Sequence, residues 1–303
     1  MTDDKALADR ILALKEERDA VILAHNYQLP EVQDIADHVG DSLELARAAA
    51  SLECPVIVFC GVDFMAETAA ILSPEKTVLL PAQDACCPMA EMVTAGELAV
   101  LKERYPNAAV VAYVNTTAEV KAESDICCTS ANAVKVVRSL HQKQVIFVPD
   151  RNLAAYVARF TDKEILPWDG YCLVHDRFSA ADVSREKALH PRAELLVHPE
   201  CRPEVIDLAD HVFSTSGIIR HVCGSGAGEF IIGTEVGILH RIRKHCPEKR
   251  CIPLSPRAIC VNMKKTTPEK VLAALERMEP RVVVPQKTAA DARRAIERML
   301  ELP

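Results

Sequence analysis

Apolar residues in this chain fall into short runs separated by polar loops, with no long stripe. A first set of runs lies at 21–24, 110–112 and 195–197. A second lies at 56–59, 145–148 and 230–232, and a third at 77–80, 164–166 and 250–252. Short continuous runs bounded by turn residues predict strands buried on both faces. Between them, 3.6-residue spacing behind Ser or Thr cap signals predicts helices over 5–18, 94–104, 180–189 and 268–278. Shorter helices are predicted over 43–50, 131–140 and 217–222. Strands alternating with helices imply parallel sheets with right-handed crossovers. A last strand over 281–285 and a helix over 289–302 are expected to pack back on the first unit.

The runs belong to a threefold internal repeat. His25, Tyr113 and His198 occupy one repeat position. Six residues on stands Glu-Val (Glu31-Val32, Glu119-Val120, Glu204-Val205), twelve on stands Asp (Asp37, Asp125, Asp210), and seventeen on stands a hydroxyl (Ser42, Ser130, Thr215). Each third run passes a proline (Pro81, Pro167, Pro253) into a loop that carries Cys87, Cys172 or Cys260. Four shared features in one register mark a true repeat. The fold class expected is α/β: three homologous three-layer α/β/α units with small parallel sheets of about three strands, arranged with pseudo-threefold symmetry. The units are expected at 1–92, 93–178 and 179–278, with 279–303 as a C-terminal strand and helix completing the first.

Composition adds exclusions. The 303 residues are 49% hydrophobic and 26% charged, with net charge −7 and pI about 5.8. That balance argues against a nucleic-acid partner or a membrane surface. The start of the chain reads as a charged amphipathic helix rather than a signal peptide, and no apolar run can span a bilayer, so a cytoplasmic location is expected.

There are 12 cysteines and no CxxC pair. In a cytoplasmic chain a disulfide framework is not expected, and most are expected to be small buried apolar residues. Only Cys87, Cys172 and Cys260 share the repeat register, with Cys86 a close rival to Cys87; Cys127, Cys128 and Cys201 match non-cysteine positions. In parallel α/β units the working loops lie at the carboxyl ends of the strands. Three units around one axis would bring the three thiols together. Such a triangle can hold three irons of a [4Fe–4S] cube and leave the fourth open as a Lewis acid; zinc is the alternative metal. Ser42, Ser130 and Thr215, read as helix caps, would form an anion pocket. His25, His198, Tyr27, Asn115, Glu200 and His175 lie nearby as anion ligands or proton shuttles. Glu235 and the segment 64–68 are weaker candidates.

The motifs AHNYQ, PEVQDIAD, GDSLELA, VDFMAETA, CCTSANA, VHPEC, STSGI, GTEVGI and CVNMKKTT, in that order, resemble the quinolinate synthase family, the A protein of NAD biosynthesis. The resemblance covers about residues 20–275 and matches the short form with one cysteine per domain. It implies the pseudo-threefold fold and a [4Fe–4S] cluster on Cys87, Cys172 and Cys260. It also implies a transferase-type condensation of iminoaspartate (iminosuccinate) with dihydroxyacetone phosphate to quinolinate, phosphate and two waters. The family's substrate-binding pattern falls on His25, Ser42, Tyr113, Asn115, Ser130, His198, Glu200 and Thr215, and its catalytic tyrosine on Tyr27. His175, three residues beyond Cys172, joins Tyr27 and Glu200 as a catalytic candidate. Pro88 stands where many members carry Ser. An aspartate-oxidising enzyme is a plausible source of iminoaspartate. Rival readings are a radical enzyme of the diphthamide-synthesis type, another cluster-dependent dehydratase or reductase, and a regulatory cluster protein; HNYQ and CCTSAN favour quinolinate synthase over the two enzymes, and a sensor would need no histidine, tyrosine and glutamate around its cluster.

Overall fold

The computed structural model describes residues 2–302. The first unit runs α1 (Thr2–Glu17), β1 (Ala20–His25), α2 (Pro30–Ile35), β2 (His38–Gly40), α3 (Ser42–Ser51), β3 (Val56–Cys60), α4 (Asp63–Leu72) and β4 (Thr77–Leu79). The second repeats it as α5 (Ala95–Arg104), β5 (Ala109–Tyr113), α6 (Ala118–Ala122), β6 (Ile126–Cys128), α7 (Ala133–Ser139), β7 (Gln144–Val148), α8 (Arg151–Ala158) and β8 (Glu164–Pro167). The third is α9 (Ala180–Leu189), β9 (Glu194–Val197), α10 (Pro203–Ile206), β10 (His211–Val212), α11 (Thr215–Gly224), β11 (Glu229–Gly233), α12 (Ile238–His245) and β12 (Arg250–Pro253). Helices α13 (Pro268–Arg277) and α14 (Gln286–Glu301) follow.

Each sheet is parallel, and the strand order is the same in all three: β2-β1-β3-β4, β6-β5-β7-β8 and β10-β9-β11-β12. This is the α/β class with three α/β/α units that the repeat predicts. The strands are four per sheet rather than about three. The added edge strands β2, β6 and β10 are two or three residues long, too short for periodicity to register. The central strands are apolar throughout because both faces are covered: β3 and β5 are buried along their whole length.

The repeated aspartate has a structural role. In each unit it precedes the edge strand, and its carboxylate accepts the backbone N–H of the neighbouring strand: Ile22 to Asp37 at 2.8 Å, Val110 to Asp125 at 2.7 Å, Leu195 to Asp210 at 2.7 Å. The backbone N–H of each aspartate returns the bond to the carbonyl of the same strand residue. Sheet pairing thus begins with a two-way clamp.

Two expectations about the C-terminal region need correction. Residues 281–285 form no strand; Arg281 makes one isolated antiparallel bridge to Leu79. Pro280 and Pro285 remove two donors from that stretch. Nor does α14 pack on the first unit alone. It lies mainly on α6 and β6 of the second unit and reaches α4 of the first. Arg293 donates to the carbonyls of Ile71 and Leu72, and Arg298 to that of Asp125. Helix α13 crosses to the first unit, where Val271 and Leu275 share a buried cluster with Ile11 and Ile22. The last helices therefore bind the ends of the chain together. One cysteine pair, Cys223–Cys246, joins α11 to the end of α12 as a disulfide; it is a single bridge, not a framework. Among the described residues no helix is long and apolar enough to cross a membrane.

Replacing Asp125 with Ala strands the Val110 N–H and removes the start of the β5–β6 pairing. An unpaired part-buried donor costs about 1–3 kcal/mol. The midpoint of urea unfolding is expected to fall accordingly, with Asp125→Asn losing less; an unchanged midpoint would remove the clamp from the account.

Candidate active site

The carboxyl ends of all three sheets open on one cavity of about 250 Å³. Its lining includes His25, Tyr27, Ser42, Cys87, Tyr113, Asn115, Ser130, Cys172, His175, His198, Glu200, Thr215 and Cys260, so the repeated cysteines, hydroxyls and strand-end residues and the residues of the resemblance reach the same space. Phe64 and Met65, at the start of α4, contribute apolar wall.

The first strand ends on His25 and Tyr113 in the first two units and directly before His198 in the third. The chain then turns so tightly that the backbone N–H two residues on meets the histidine ring. Tyr27 N–H donates to His25 Nδ1 at 3.2 Å, and Glu200 N–H to His198 Nδ1 at 3.4 Å. A nitrogen that accepts carries no proton, which assigns the N–H of both neutral rings to Nε2. His198 Nε2 lies 3.1 Å from Ser130 Oγ. Burial pushes both rings down to about 3, assisted at His25 by the Lys264 charge and opposed at both by Glu200. Both histidines are therefore neutral donors to the cavity.

Glu200 is buried at the centre of a hydrogen-bond chain. Tyr113 Oη donates to Glu200 Oε1 at 2.6 Å. His175 Nδ1 lies 2.6 Å from Glu200 Oε2 and 3.2 Å from Cys172 Sγ. On its other side, His175 Nε2 meets Thr234 Oγ1 at 2.8 Å, and Thr234 in turn meets the Tyr27 hydroxyl. A carboxylate only accepts, so His175 donates from Nδ1; in the neutral ring Nε2 then accepts, and the chain runs Tyr27 to Thr234 to His175 to Glu200. Burial alone would raise the Glu200 carboxyl, but His198, His175 and the Tyr113 hydroxyl outweigh it and hold Glu200 ionised. Burial and the Glu200 charge raise the Tyr27 and Tyr113 phenols, which keep their protons.

The repeated hydroxyls are not the helix caps. Asp41 caps α3 through the N–H groups of Leu43 and Glu44. Ser214 caps α11 through Gly217 N–H and also donates to Asp41 at 3.0 Å. In the second unit Asn132 takes the N-cap position without a side-chain bond and instead accepts from Thr129 N–H. The expected caps sit one residue late in the first and third units, where Asp41 and Ser214 occupy the capping geometry, and two residues early in the second, where Asn132 stands at the N-cap. The hydroxyls of Ser42, Ser130 and Thr215 are thereby left for the cavity. The N-termini of α3 and α11 meet head to head there, a favourable place for anions. Asn26 Nδ2 donates to Thr215 Oγ1 at 2.8 Å, and Arg241 holds the Asn26 oxygen at 2.7 Å. The Asn115 amide oxygen is buried without a protein partner, as a ligand contact requires.

The three cysteine loops are alike in detail. Each thiol precedes a turn of 3₁₀ helix and faces the backbone N–H groups two and three residues on: Met89 and Ala90 for Cys87, Val174 and His175 for Cys172, Asn262 and Met263 for Cys260. Such paired N–H donors suit a thiolate bound to metal. Burial raises all three thiols, with Cys260 adding to Cys87 and Cys87 to Cys172. Three soft donors in one site, each with two N–H groups, fit an iron–sulfur cluster. Cys172, His175 and Glu200 also offer ligand atoms within 4.8 Å of one another, a set that suits zinc. Cys86 lines the cavity too, but the N–H pattern belongs to Cys87. Cys127, Cys128 and Cys201 are buried apolar side chains.

Glu235 holds the third loop in place. Its carboxylate accepts from Gly237 N–H at 2.6 Å and Cys260 N–H at 3.2 Å and pairs with Lys264 at 2.9 Å. Asn26, expected from the sequence to lie near His25 and His198, is in place. Thr234 was not legible, although it stands inside the motif GTEVGI, because it lies outside the repeat register.

A family model described as "Quinolinate synthetase A protein" matches residues 9–301. The quinolinate synthase of Methanoregula boonei is 68% identical over 302 residues, covering 100% of both chains. That of Dehalococcoides mccartyi is 56% identical over 296 residues, 98% of each. Quinolinate synthase 1 of Methanosarcina acetivorans is 56% identical over 294 residues, 97% of each. With one cavity built from three equivalent strand ends and matches that run the length of the chain, this protein belongs to the quinolinate synthase family.

Proposed function

We propose that the chain condenses iminoaspartate with dihydroxyacetone phosphate to quinolinate, phosphate and water in the cytoplasm, for NAD biosynthesis. The observation that carries this reading is the meeting of the three cysteine loops with the Tyr27–Glu200 hydrogen-bond chain in one cavity. Cys87, Cys172 and Cys260 would hold the cluster. When bound, a [4Fe–4S] cluster with an open iron supplies a Lewis acid for a substrate oxygen or nitrogen. Iminoaspartate is unstable, so an aspartate-oxidising enzyme is its natural source.

The remaining chemistry falls to the side chains. The substrates carry two carboxylates and a phosphate. The Nε2–H groups of His25 and His198, the hydroxyls of Ser42, Ser130 and Thr215, and the ends of α3 and α11 are donors for these anions. Neutral imidazoles suit this task, because they donate without adding the buried positive charge that anion release would leave uncompensated. Phosphate loss, isomerisation, imine formation and dehydration each move protons. Tyr27, with a raised phenol, is the acid facing the substrate. Its own proton passes along Thr234 to the free Nε2 of His175 when Tyr27 takes one from the substrate and returns by the same path when Tyr27 gives one, with Glu200 setting the His175 tautomer. Tyr113 keeps the other oxygen of Glu200 occupied, so the carboxylate stays aimed at His175. Apolar wall from Phe64 and Met65 limits water.

The test is anaerobic purification with iron and sulfide analysis, followed by a quinolinate assay with both substrates. About four irons per chain and quinolinate formation are expected; zinc alone, or a full cluster without product, would sink the reading. Cys87→Ala is expected to lose the iron and Cys86→Ala to retain it, and the opposite pattern would transfer the ligand role to Cys86.

Thr234→Val keeps the shape of the side chain and removes the bridging hydroxyl, leaving Tyr27 and His175 only their long direct contact of 3.4 Å. Its kcat is expected to fall toward the factor of about 10²–10⁴ that positioned proton transfer contributes, with KM little changed. Thr234→Ser is expected to restore most of the loss. A Thr234→Val enzyme with unchanged kcat would show that protons travel another way.

A further inference from the structure

The far end of the third sheet holds a second group of chemistry-bearing side chains that the reaction does not use. Glu194 opens β9, His211 opens the neighbouring strand β10, and His221 stands on α11. Strand openings lie opposite the cavity, which is built from strand ends. His221 is six residues beyond Thr215, about 9 Å along the helix from the catalytic end.

The two imidazoles converge on one carboxylate oxygen. His221 Nε2 is 2.8 Å from Glu194 Oε2, and His211 Nε2 is 3.9 Å from the same atom. The three ligand atoms all lie within 4.8 Å of one another. One oxygen cannot hydrogen-bond both rings at those lengths: His221 is satisfied, while His211 is left beyond hydrogen-bond reach. A cation at the centre would serve all three. Ligands about 2.0–2.2 Å from a tetrahedral ion lie about 3.3 Å apart, between the two observed separations. The rings are also held in position. Phe213 stacks on His211 with an interplanar angle of 13° and a centroid separation of 5.6 Å, and it lies 5.3 Å from His221. Phe230 meets the edge of His221. The side chains keep 22–40% of their surface in solvent, so an ion can enter and retain water in the open position.

We propose that Glu194, His211 and His221 form a binding site for a divalent transition-metal ion, Zn²⁺ being the best match to two imidazoles and a carboxylate. The ion joins β9, the two-residue edge strand β10 and helix α11, so it clips the free edge of the third sheet to the helix that carries Thr215. This site is independent of the cysteine loops and of the reaction proposed above.

The protein as purified is titrated anaerobically with Zn²⁺ by calorimetry and compared with His211→Asn and His221→Ala. The wild type is expected to take up one equivalent more than either variant, at least tenfold more tightly than any residual binding. Its melting temperature is expected to rise with Zn²⁺ by more than that of the variants. His211 is the safer probe because its ring is the most exposed of the three, and quinolinate formation by His211→Asn is expected to equal that of the wild type. With Co²⁺ as reporter, the wild-type-minus-variant spectrum is expected to show ligand-field bands without sulfur-to-cobalt charge transfer. Equal uptake and equal melting shifts in all three proteins would overturn the proposal. A sulfur charge-transfer band in the difference spectrum would overturn it as well, by assigning the extra ion to cysteines.

Discussion

A carboxylate that is only 3% exposed remains charged only if donors surround it. Glu200 meets that condition through Tyr113 and His175, both from the second unit, while it stands on the third. Much of the cavity's electrostatics follows from this one buried charge. It raises the phenols of Tyr27 and Tyr113 and opposes the fall of His25 and His198. It sets the tautomer of His175, and through Thr234 it connects to Tyr27 on the first unit. The second and third units cannot separate without leaving this carboxylate unpaired, which ties the assembly of the fold to the assembly of the site.

The threefold repeat is a way of making one asymmetric site from three similar parts. The shared features do the symmetric work. Aspartates clamp the edge strands, thiols sit behind pairs of N–H groups, and hydroxyls stand at helix starts. The differences between copies do the chemistry. At one repeat position the first and third copies present Nε2–H of a histidine, and the second copy presents a phenol that binds Glu200. Beyond the cysteines, only the second loop carries a histidine three residues on, and that histidine becomes the hinge of the relay. Divergence at a few positions therefore converts a ring of equal donors into a directed proton path.

Chain order and spatial order part company at the C-terminus. Helix α13 follows the third unit in sequence but covers the first sheet beside α1, and α14 bridges the first and second units. Both make the ring of three units a closed object rather than an open row. The arginines of α14 donate to carbonyls left free at the ends of α4 and at β6, so the closure satisfies polar backbone groups as well as covering apolar surface.

The sequence by itself determined the α/β class, the repeat register, the central strands and most helices, because those follow from apolar periodicity and local cap signals along a continuous stretch. It also singled out Cys87, Cys172 and Cys260, since equivalent loops of repeated units must occupy equivalent places. The tertiary structure decided everything that depends on partners distant in the chain. It moved the caps to Asp41 and Ser214, where the two residues bond each other across units. It chose where α13 and α14 lie, and it brought Thr234 between Tyr27 and His175. Edge strands of two or three residues became visible only through their pairing. Hydrogen bonds between residues 59 and 207 positions apart leave no periodic trace, so the relay through Thr234 could be read only once the three units were closed around it.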